Sequence, residues 1–179
     1  MGFVGMPASG KTEAAKVLQC HGIPIIRMGD VVRAEVKARG LDITEENVGR
    51  VADELRKNEG MDAVAKRCIS LISKTPPSNC DTVVIDGIRG IAEVKAYEKA
   101  FGNRFILIAI EASQKIRFNR AMARKREDDV SNWESFKQKD ERELRWGLTE
   151  AMNIADISLD NDGTLEEFKK QAKSILGGI

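Results

Sequence analysis

The sequence predicts an α/β fold of three layers, in which a five-stranded parallel sheet is covered by helices on both faces. Short apolar runs alternate along the chain with longer amphipathic, charged stretches. The runs are rich in Val and Ile and too short to be buried helices, as buried parallel strands are. Length supplies the third constraint: 179 residues can bury one sizeable core, so a single domain spanning 1–179 is expected.

The strands read in order as FV ahead of a glycine-rich loop, IPIIRM (23–28), TVVID (82–86), RFILIAI (104–110) and ADISLD (155–160). Between them, KTEAAKVLQC, GDVVRAEVKARG, TEENVGRVADELRKN, MDAVAKRCISLIS, GIAEVKAYEKAF and SQKIRFNRAMARKRE carry apolar residues at helical spacing. Gly22, Gly40, Gly60 and Gly102 stand just past helical stretches, where a residue tolerant of positive φ closes the helix. Three successive helical patterns separate the second and third strands, more than the one crossover helix that a βαβ unit needs. Residues 29–74 therefore read as a helical insert in a core of 1–28, 75–123 and 147–179. SKTPPSNCD (73–81) is linker-like, because its paired prolines cannot continue a helix. RKREDDVSNW (124–133) has charge without apolar periodicity and reads as a mobile loop, opening a short lid over 124–146. WESFKQKDERELRWGL reads as a salt-bridged surface helix with Trp133 and Trp146 on its apolar side.

Charge and composition exclude several classes of function. Twenty-nine Lys and Arg balance twenty-eight Asp and Glu, which argues against a nucleic-acid-binding surface and makes any phosphate recognition local. Cys20, Cys68 and Cys80 with the single His21 form no zinc pattern, so they and the methionines read as filler in a reduced, cytoplasmic protein. The longest apolar run, FILIAI, falls far short of the ~20 residues that cross a bilayer. The amino end has neither a basic leader nor the Ser or Thr that myristoylation requires, so no membrane partner is expected. Nothing in the sequence specifies an oligomeric state.

Chemistry enters at GMPASGKT, Gly5 to Thr12, which matches G-x-x-x-x-G-K-[ST] between a strand and a helix. The glycines let consecutive N–H groups of Gly5, Met6, Pro7's neighbours Ala8 and Ser9, and Gly10 curl around phosphate oxygens, and the helix adds its positive end. Lys11 would reach the β and γ phosphates of ATP, and Thr12 would ligate Mg²⁺. Asp86, placed at the end of an apolar strand, is the natural second metal-side group, with a helix N-cap as its plainer role. No G-x-G-x-x-G favours a dinucleotide fold, and no N-K-x-D favours a GTPase.

Beyond the loop the chain resembles the nucleoside monophosphate kinases, and adenylate kinase in particular. RMGDVVR (27–33) is similar to the segment that opens their acceptor site. VVIDGIRGIAE (83–93) is similar to their strand ending in Asp-Gly with an arginine beyond, although the usual preceding proline is missing. The resemblance implies that Gly29, Asp30, Arg33, Gly87 and Arg89 surround an acceptor whose phosphate Arg33 and Arg89 clamp. It puts Glu93 where adenylate kinases carry a base-reading glutamine. NRAMARKREDD and DERELRWG resemble the two ends of an arginine-rich lid, which nominates Arg120, Arg124, Arg142 and Arg145. ADISLDNDGTLEEF (155–168) resembles the end of dephospho-coenzyme A kinases and would lay Asn161 and Gly163 against the donor adenine. Over nearly its full length the chain resembles an archaeal family of adenylate-kinase-related P-loop proteins that share GMPxSGK, MGDVxR, IDGIR and DERELxWG. Their longer first strand leads us to expect residues ahead of Met1.

The expected activity is Mg²⁺-dependent transfer of the ATP γ-phosphoryl group to a nucleoside monophosphate such as AMP, with Lys11, Arg120, Arg124 and Asp30 as catalytic candidates. Arginine suits such a site because its planar fork grips two phosphate oxygens. Arg117, Arg120 and Arg124 also share one helix face with Arg126 beyond, which an exposed basic surface would equally explain. Two alternatives stay open. In a hydroxyl kinase of the dephospho-coenzyme A type Asp30 would take the proton, and Asp30 would otherwise cap the following helix. In a nucleotide-dependent switch or assembly ATPase no small acceptor would be needed.

Overall fold

The computed structural model describes residues 1–74, 81–124 and 132–178. Cys80, Arg126, the prolines of 73–81 and most of the charged segment 124–133 lie outside the described residues. In chain order the elements are β1 (Gly2–Val4), α1 (Lys11–Gln19), β2 (Ile25–Arg27), α2 (Met28–Ala38), α3 (Glu45–Glu59), α4 (Ala63–Lys74), β3 (Val84–Ile88) and α5 (Ile91–Phe101). After them come β4 (Leu107–Glu111), α6 (Gln114–Arg124), α7 (Trp133–Arg145), α8 (Leu148–Asn153), β5 (Ile157–Asp160) and α9 (Leu165–Ser174). The strands pair in parallel in the order β2-β3-β1-β4-β5.

Period-two alternation explains the three layers. Phe3, Val84, Ile108 and Ile110 face α1 and α9, where Ala14, Ala15, Leu18, Phe168 and Ala172 complete one buried cluster. Val4, Ile85, Leu107 and Ala109 point the other way, against α2, α3, α4, α5 and α8. The three helices between β2 and β3 thus share a core with the sheet through Val32, Val36, Val51, Leu55 and Val64. A small third cluster, Ala121 and Phe136 with Ala8 and Phe118 against it, joins α6 and α7 to the loop after β1. The connection leaving β1 runs through α1 over one face to β2, and the connection leaving its neighbour β3 runs through α5 over the other face to β4, so the strand order reverses between β1 and β3. Ligands of open α/β sheets bind at such a point, beyond the carboxyl ends of the strands.

The helix-closing glycines behave as their positions predict: Gly22, Gly40, Gly60 and Gly102 all take positive φ, between 57° and 101°. Four expectations are corrected. First, β2 stops at Arg27, and α2 begins at Met28 with Arg27 as its N-cap. Gly29 and Asp30 therefore lie inside the first helical turn, and Asp30 caps nothing. Second, β3 continues through Ile88, so Asp86 sits in mid-strand. A bulge at Gly87, φ 104°, lets Phe3 pair with Asp86 and Val4 with Ile88, which re-aims the chain beside the loop. Third, α8 and α9 follow where no helix is expected. Helix α9 is opened by a capping box between Thr164 and Glu167 that its sequence already displays. Fourth, Trp146 lies past the end of α7 rather than on its apolar side, whereas Trp133 does pack there, against Phe118 and Phe136.

The end of α7 comes very close to the start of α5. A Cβ built at Gly90 would stand 2.0 Å from the Trp146 carbonyl oxygen. Gly90→Ala must therefore push the two elements apart, and it is expected to lower the free energy of unfolding by about 1–3 kcal/mol, read from the midpoint of a urea titration at unchanged slope. An unchanged midpoint would show that this approach is not tight in solution.

Candidate functional site

The loop from Gly5 to Gly10 is held from behind by its carbonyls. Gly5 and Met6 accept from the Lys11 Nζ at 2.7 and 2.8 Å, and Pro7 accepts from Arg117 at 3.1 Å. Ser9 accepts from the Asn161 side chain at 2.7 Å, and Arg89 approaches the Gly5 carbonyl at 3.4 Å. Side chains from α1, α6, the turn after β5 and the turn after β3 thus take up the loop's acceptors. The Glu13 N–H donates to the Gly10 carbonyl at 2.9 Å, so the N–H groups at the start of α1 that are left to an anion are those of Lys11 and Thr12. Gly5 and Gly10 take φ of 151° and 113°, and a Cβ at Gly10 would strike the Asn161 amide at 2.1 Å. Ala8 adopts φ 60°, a conformation that costs a side-chain-bearing residue roughly 1–2 kcal/mol. Its methyl packs against the Ala121–Phe136 cluster, and that contact holds it there.

Lys11 is 6% exposed. Burial, and after it the neighbouring Arg89, holds its ammonium group well below the usual lysine value, while Asp86 and Glu143 pull in the opposite direction. Thr12 donates its hydroxyl to Asp86 Oδ2 at 3.1 Å, so the two metal-side candidates stand together. Among the described residues no group of three or more His, Cys, Asp or Glu side chains gathers. A hydroxyl beside a carboxylate is a hard-oxygen pair that fits Mg²⁺, whose remaining positions are ordinarily filled by water and phosphate.

A cavity of about 400 Å³ opens over the loop, lined by Pro7, Ala8, Gly10, Lys11, Thr12 and Asp86 on its floor. Arg120, Arg124, Asn161 and Leu165 border one side, and Arg27, Gly29, Arg33, Gly87, Arg89 and Lys139 the other. A second cavity of about 100 Å³ adjoins it between α2, α3 and α7. Gly29, Arg33, Gly87, Arg89 and Lys139 line both, so the two cavities meet at a cationic neck. Carboxylates neutralise much of this charge. Arg89 donates to Glu143 at 2.6 Å, Arg33 to Asp30 at 3.0 Å, and Arg142 to Glu45.

The structure gathers most of the residues expected from the sequence, but not all. Arg33, Arg89, Arg120, Arg124, Gly29, Gly87 and Asn161 line the larger cavity, and Arg142 lines the smaller. Arg117 turns inward instead: it is 4% exposed and makes a two-pronged pair with Asp140 at 2.8 and 2.6 Å. Asp30 borders neither cavity, and 60% of its side chain is exposed. Glu93 is 1% exposed and borders neither. One of its oxygens accepts from Arg56 at 2.8 Å and the other from the Arg89 backbone at 2.7 Å, so it fixes the turn that carries Arg89. Burial pushes its carboxyl up, against the pull of Arg56. Gly163 and Arg145 are exposed and line neither cavity. Sequence reasoning missed Arg27, Arg56, Lys139, Asp140 and Glu143. Phe136, Asp140 and Glu143 recur at helical spacing on the inner face of α7, a signal that the dense surrounding charge concealed.

Among the described residues no helix is long and apolar enough to cross a membrane. Residues 4–137 match the family model described as an AAA domain. A UPF0200/UPF0201 protein of Archaeoglobus fulgidus is 52% identical over 97% of this chain, and the chain spans only 54% of that relative's length. A UPF0200 protein of Methanosarcina mazei is 50% identical, with 97% of this chain and 91% of the relative covered. Among solved structures, a gluconokinase from Sinorhizobium meliloti 1021 superposes with a TM-score of 0.60 at 15% identity, covering 99% of this chain and 90% of its own. That likeness establishes a P-loop kinase-like fold.

The buried lysine makes a prediction about pH. Between its lowered pKa and the ordinary lysine value, the unfolded chain binds more protons at position 11 than the folded one does, so this group makes stability rise with pH there. In Lys11→Met that contribution is absent. The difference in unfolding free energy between the two proteins, measured in urea from pH 7 to 10, is expected to move in favour of the wild type as pH rises. A constant difference would contradict the burial of a charged amine.

Proposed function

The chain belongs to the UPF0200 family and carries an AAA-domain P-loop, and on that premise we propose that it transfers the γ-phosphoryl group of ATP to a nucleoside monophosphate. The observation that carries the reading is the cationic neck: a cavity over a phosphate loop meets a second cavity at Arg33, Arg89 and Lys139, where two phosphate chains would face each other.

In this reading the triphosphate lies on the loop N–H groups with Lys11 along it, and Arg120, Arg124 and Leu165 border the donor nucleoside. Thr12 and Asp86 would hold Mg²⁺, which supplies charge neutralisation between the phosphates. An oxygen of the acceptor phosphate forms a bond to the γ-phosphorus, and the bridging β–γ bond breaks with its electron pair leaving on ADP. The acceptor oxygen is already ionised, so no side chain needs to take a proton. Arg33, Arg89 and Lys139 instead hold the two anions together and stabilise the charge that spreads over the transferred group. Their carboxylate partners keep this cluster of cations tolerable within one fold.

The exposure of Asp30 favours a phosphate acceptor over a hydroxyl, because a proton-accepting carboxylate must reach the acceptor inside the cleft. The gluconokinase that shares the fold is named for a hydroxyl-bearing substrate, but a likeness at 15% identity carries no substrate to this chain.

A coupled assay for ADP, run with ATP and each of AMP, CMP, UMP, GMP and dephospho-coenzyme A, tests the reading. Turnover is expected with at least one monophosphate and not with dephospho-coenzyme A; ADP release that no acceptor stimulates would contradict it. Asp30→Asn separates the mechanisms further. An exposed pair with Arg33 is worth up to about 1 kcal/mol, so kcat/KM is expected to fall no more than about fivefold. Loss of a general base would lower kcat by about a hundredfold or more.

A further inference from the structure

We propose that Arg27 is a further catalytic residue, a guanidinium that grips the phosphoryl group as it passes from donor to acceptor. The proposal rests on the kinase reading above and adds a cation that the neck does not include.

Position is the first observation. Ile25 packs against the cluster that faces α1, and in the parallel register it pairs with Val84 of the same face. Two residues on, Arg27 pairs with Asp86, so both side chains leave the sheet on the α1 side, at the carboxyl end of β2. Asp86 there accepts from Thr12 of α1 at 3.1 Å. Arg27 lines the larger cavity together with Thr12 and Asp86, and it does not line the smaller one. It therefore flanks the metal-side pair, where the terminal phosphate of ATP would lie, rather than the acceptor nucleoside.

The second observation is that nothing in the local structure calls for an arginine. Arg27 is the N-cap of α2. That position favours a side-chain acceptor for the helix N–H groups, and a helix start disfavours positive charge. A guanidinium has no acceptor, and the Arg27 side chain makes no capping bond. A partner elsewhere does not account for it either. Arg33, Arg89 and Arg142 donate to carboxylates and Arg120 to Asn161, whereas half-buried Arg27 makes no hydrogen bond or ion pair among the described residues. Its five N–H groups are left for a ligand. A residue that breaks the local rules inside a cavity, with no structural partner to compensate, marks a functional position.

The chemistry uses such a group. The acceptor oxygen bonds to the γ-phosphorus as the β–γ bridging oxygen leaves with the electron pair, and negative charge spreads over the oxygens of the group in flight. Arg27 neither gives nor takes a proton. Its planar fork binds two of those oxygens and stabilises their charge from the side opposite the neck's acceptor cavity. ATP offers this contact and ADP does not.

Arg27→Met tests the assignment. The side chain holds no other residue in place, so the variant is expected to unfold at the wild-type urea midpoint. Calorimetric titration in Mg²⁺ is expected to show ATP bound about tenfold or more weakly by the variant, and ADP bound within about twofold of the wild type. With a monophosphate that the wild type turns over, kcat is expected to fall about a hundredfold or more while KM for the acceptor stays within about threefold. Arg27→Lys, which keeps the charge without the fork, is expected to fall between. ATP and ADP affected alike, or an unchanged kcat, would overturn the inference. So would a raised acceptor KM at wild-type kcat, which would put Arg27 on the acceptor instead. Wild-type protein that turns over no monophosphate would overturn the kinase reading, and the comparison of ATP with ADP would still decide whether Arg27 grips the γ-phosphate.

Discussion

Much of this structure depends on how one buried ammonium group is tolerated. Lys11 begins α1 at the carboxyl end of the central strand, where it is almost wholly removed from water. An ammonium there costs several kcal/mol unless its surroundings stand in for water. The carbonyls of Gly5 and Met6 do so directly, and Asp86 and Glu143 supply charge of the opposite sign. The loop must curl to bring those carbonyls to Nζ, and curling requires the positive φ of Gly5, Ala8 and Gly10. The same turn that solvates the lysine also leaves amide groups facing the cavity.

A loop bent in this way has to be braced, and the braces reach it from distant parts of the chain. Asn161 holds it from beyond β5, and Arg117 holds it from α6. Arg117 is itself fixed by Asp140 of α7, and Arg89 by Glu143 of the same helix. Buried pairs of this kind add little net stability, because desolvation offsets their attraction, but removing one partner leaves a buried charge alone. Their effect is positional: α7 is fastened at two points to the elements that frame the neck. The contact of Gly90 with Trp146 fastens the end of that helix a third time.

The sheet, the phosphate loop and the three helices after β2 were legible because each follows from short-range pattern: apolar alternation, glycine spacing and helical periodicity. Asp86 was legible as a residue but not in its setting, since the bulge at Gly87 arises from pairing with β1 and no local pattern announces it. Asp30 and Arg33 are one turn apart as the spacing requires, yet starting α2 at Met28 turns the carboxylate outward. Glu93 shows the limit of reasoning from alignment with a motif. Its position could be read from the sequence, but its engagement with Arg56, 37 residues away, could not. Asp140 and Glu143 were hidden for a related reason. In a helix so rich in charge, which acids face inward depends on the arginines waiting there.

The central claim is that two phosphate-bearing ligands meet end to end at Arg33, Arg89 and Lys139. A single molecule that joins ATP to a nucleoside monophosphate through their phosphate chains would occupy both cavities at once, gaining the affinity of each for one loss of translational freedom. Calorimetric titration of such a bisubstrate compound in the presence of Mg²⁺ is the most direct measurement. One molecule bound per chain, at least about a hundredfold tighter than ATP, is the predicted result. Affinity no greater than that of ATP would mean that the neck does not join two substrate sites, and would contradict the account.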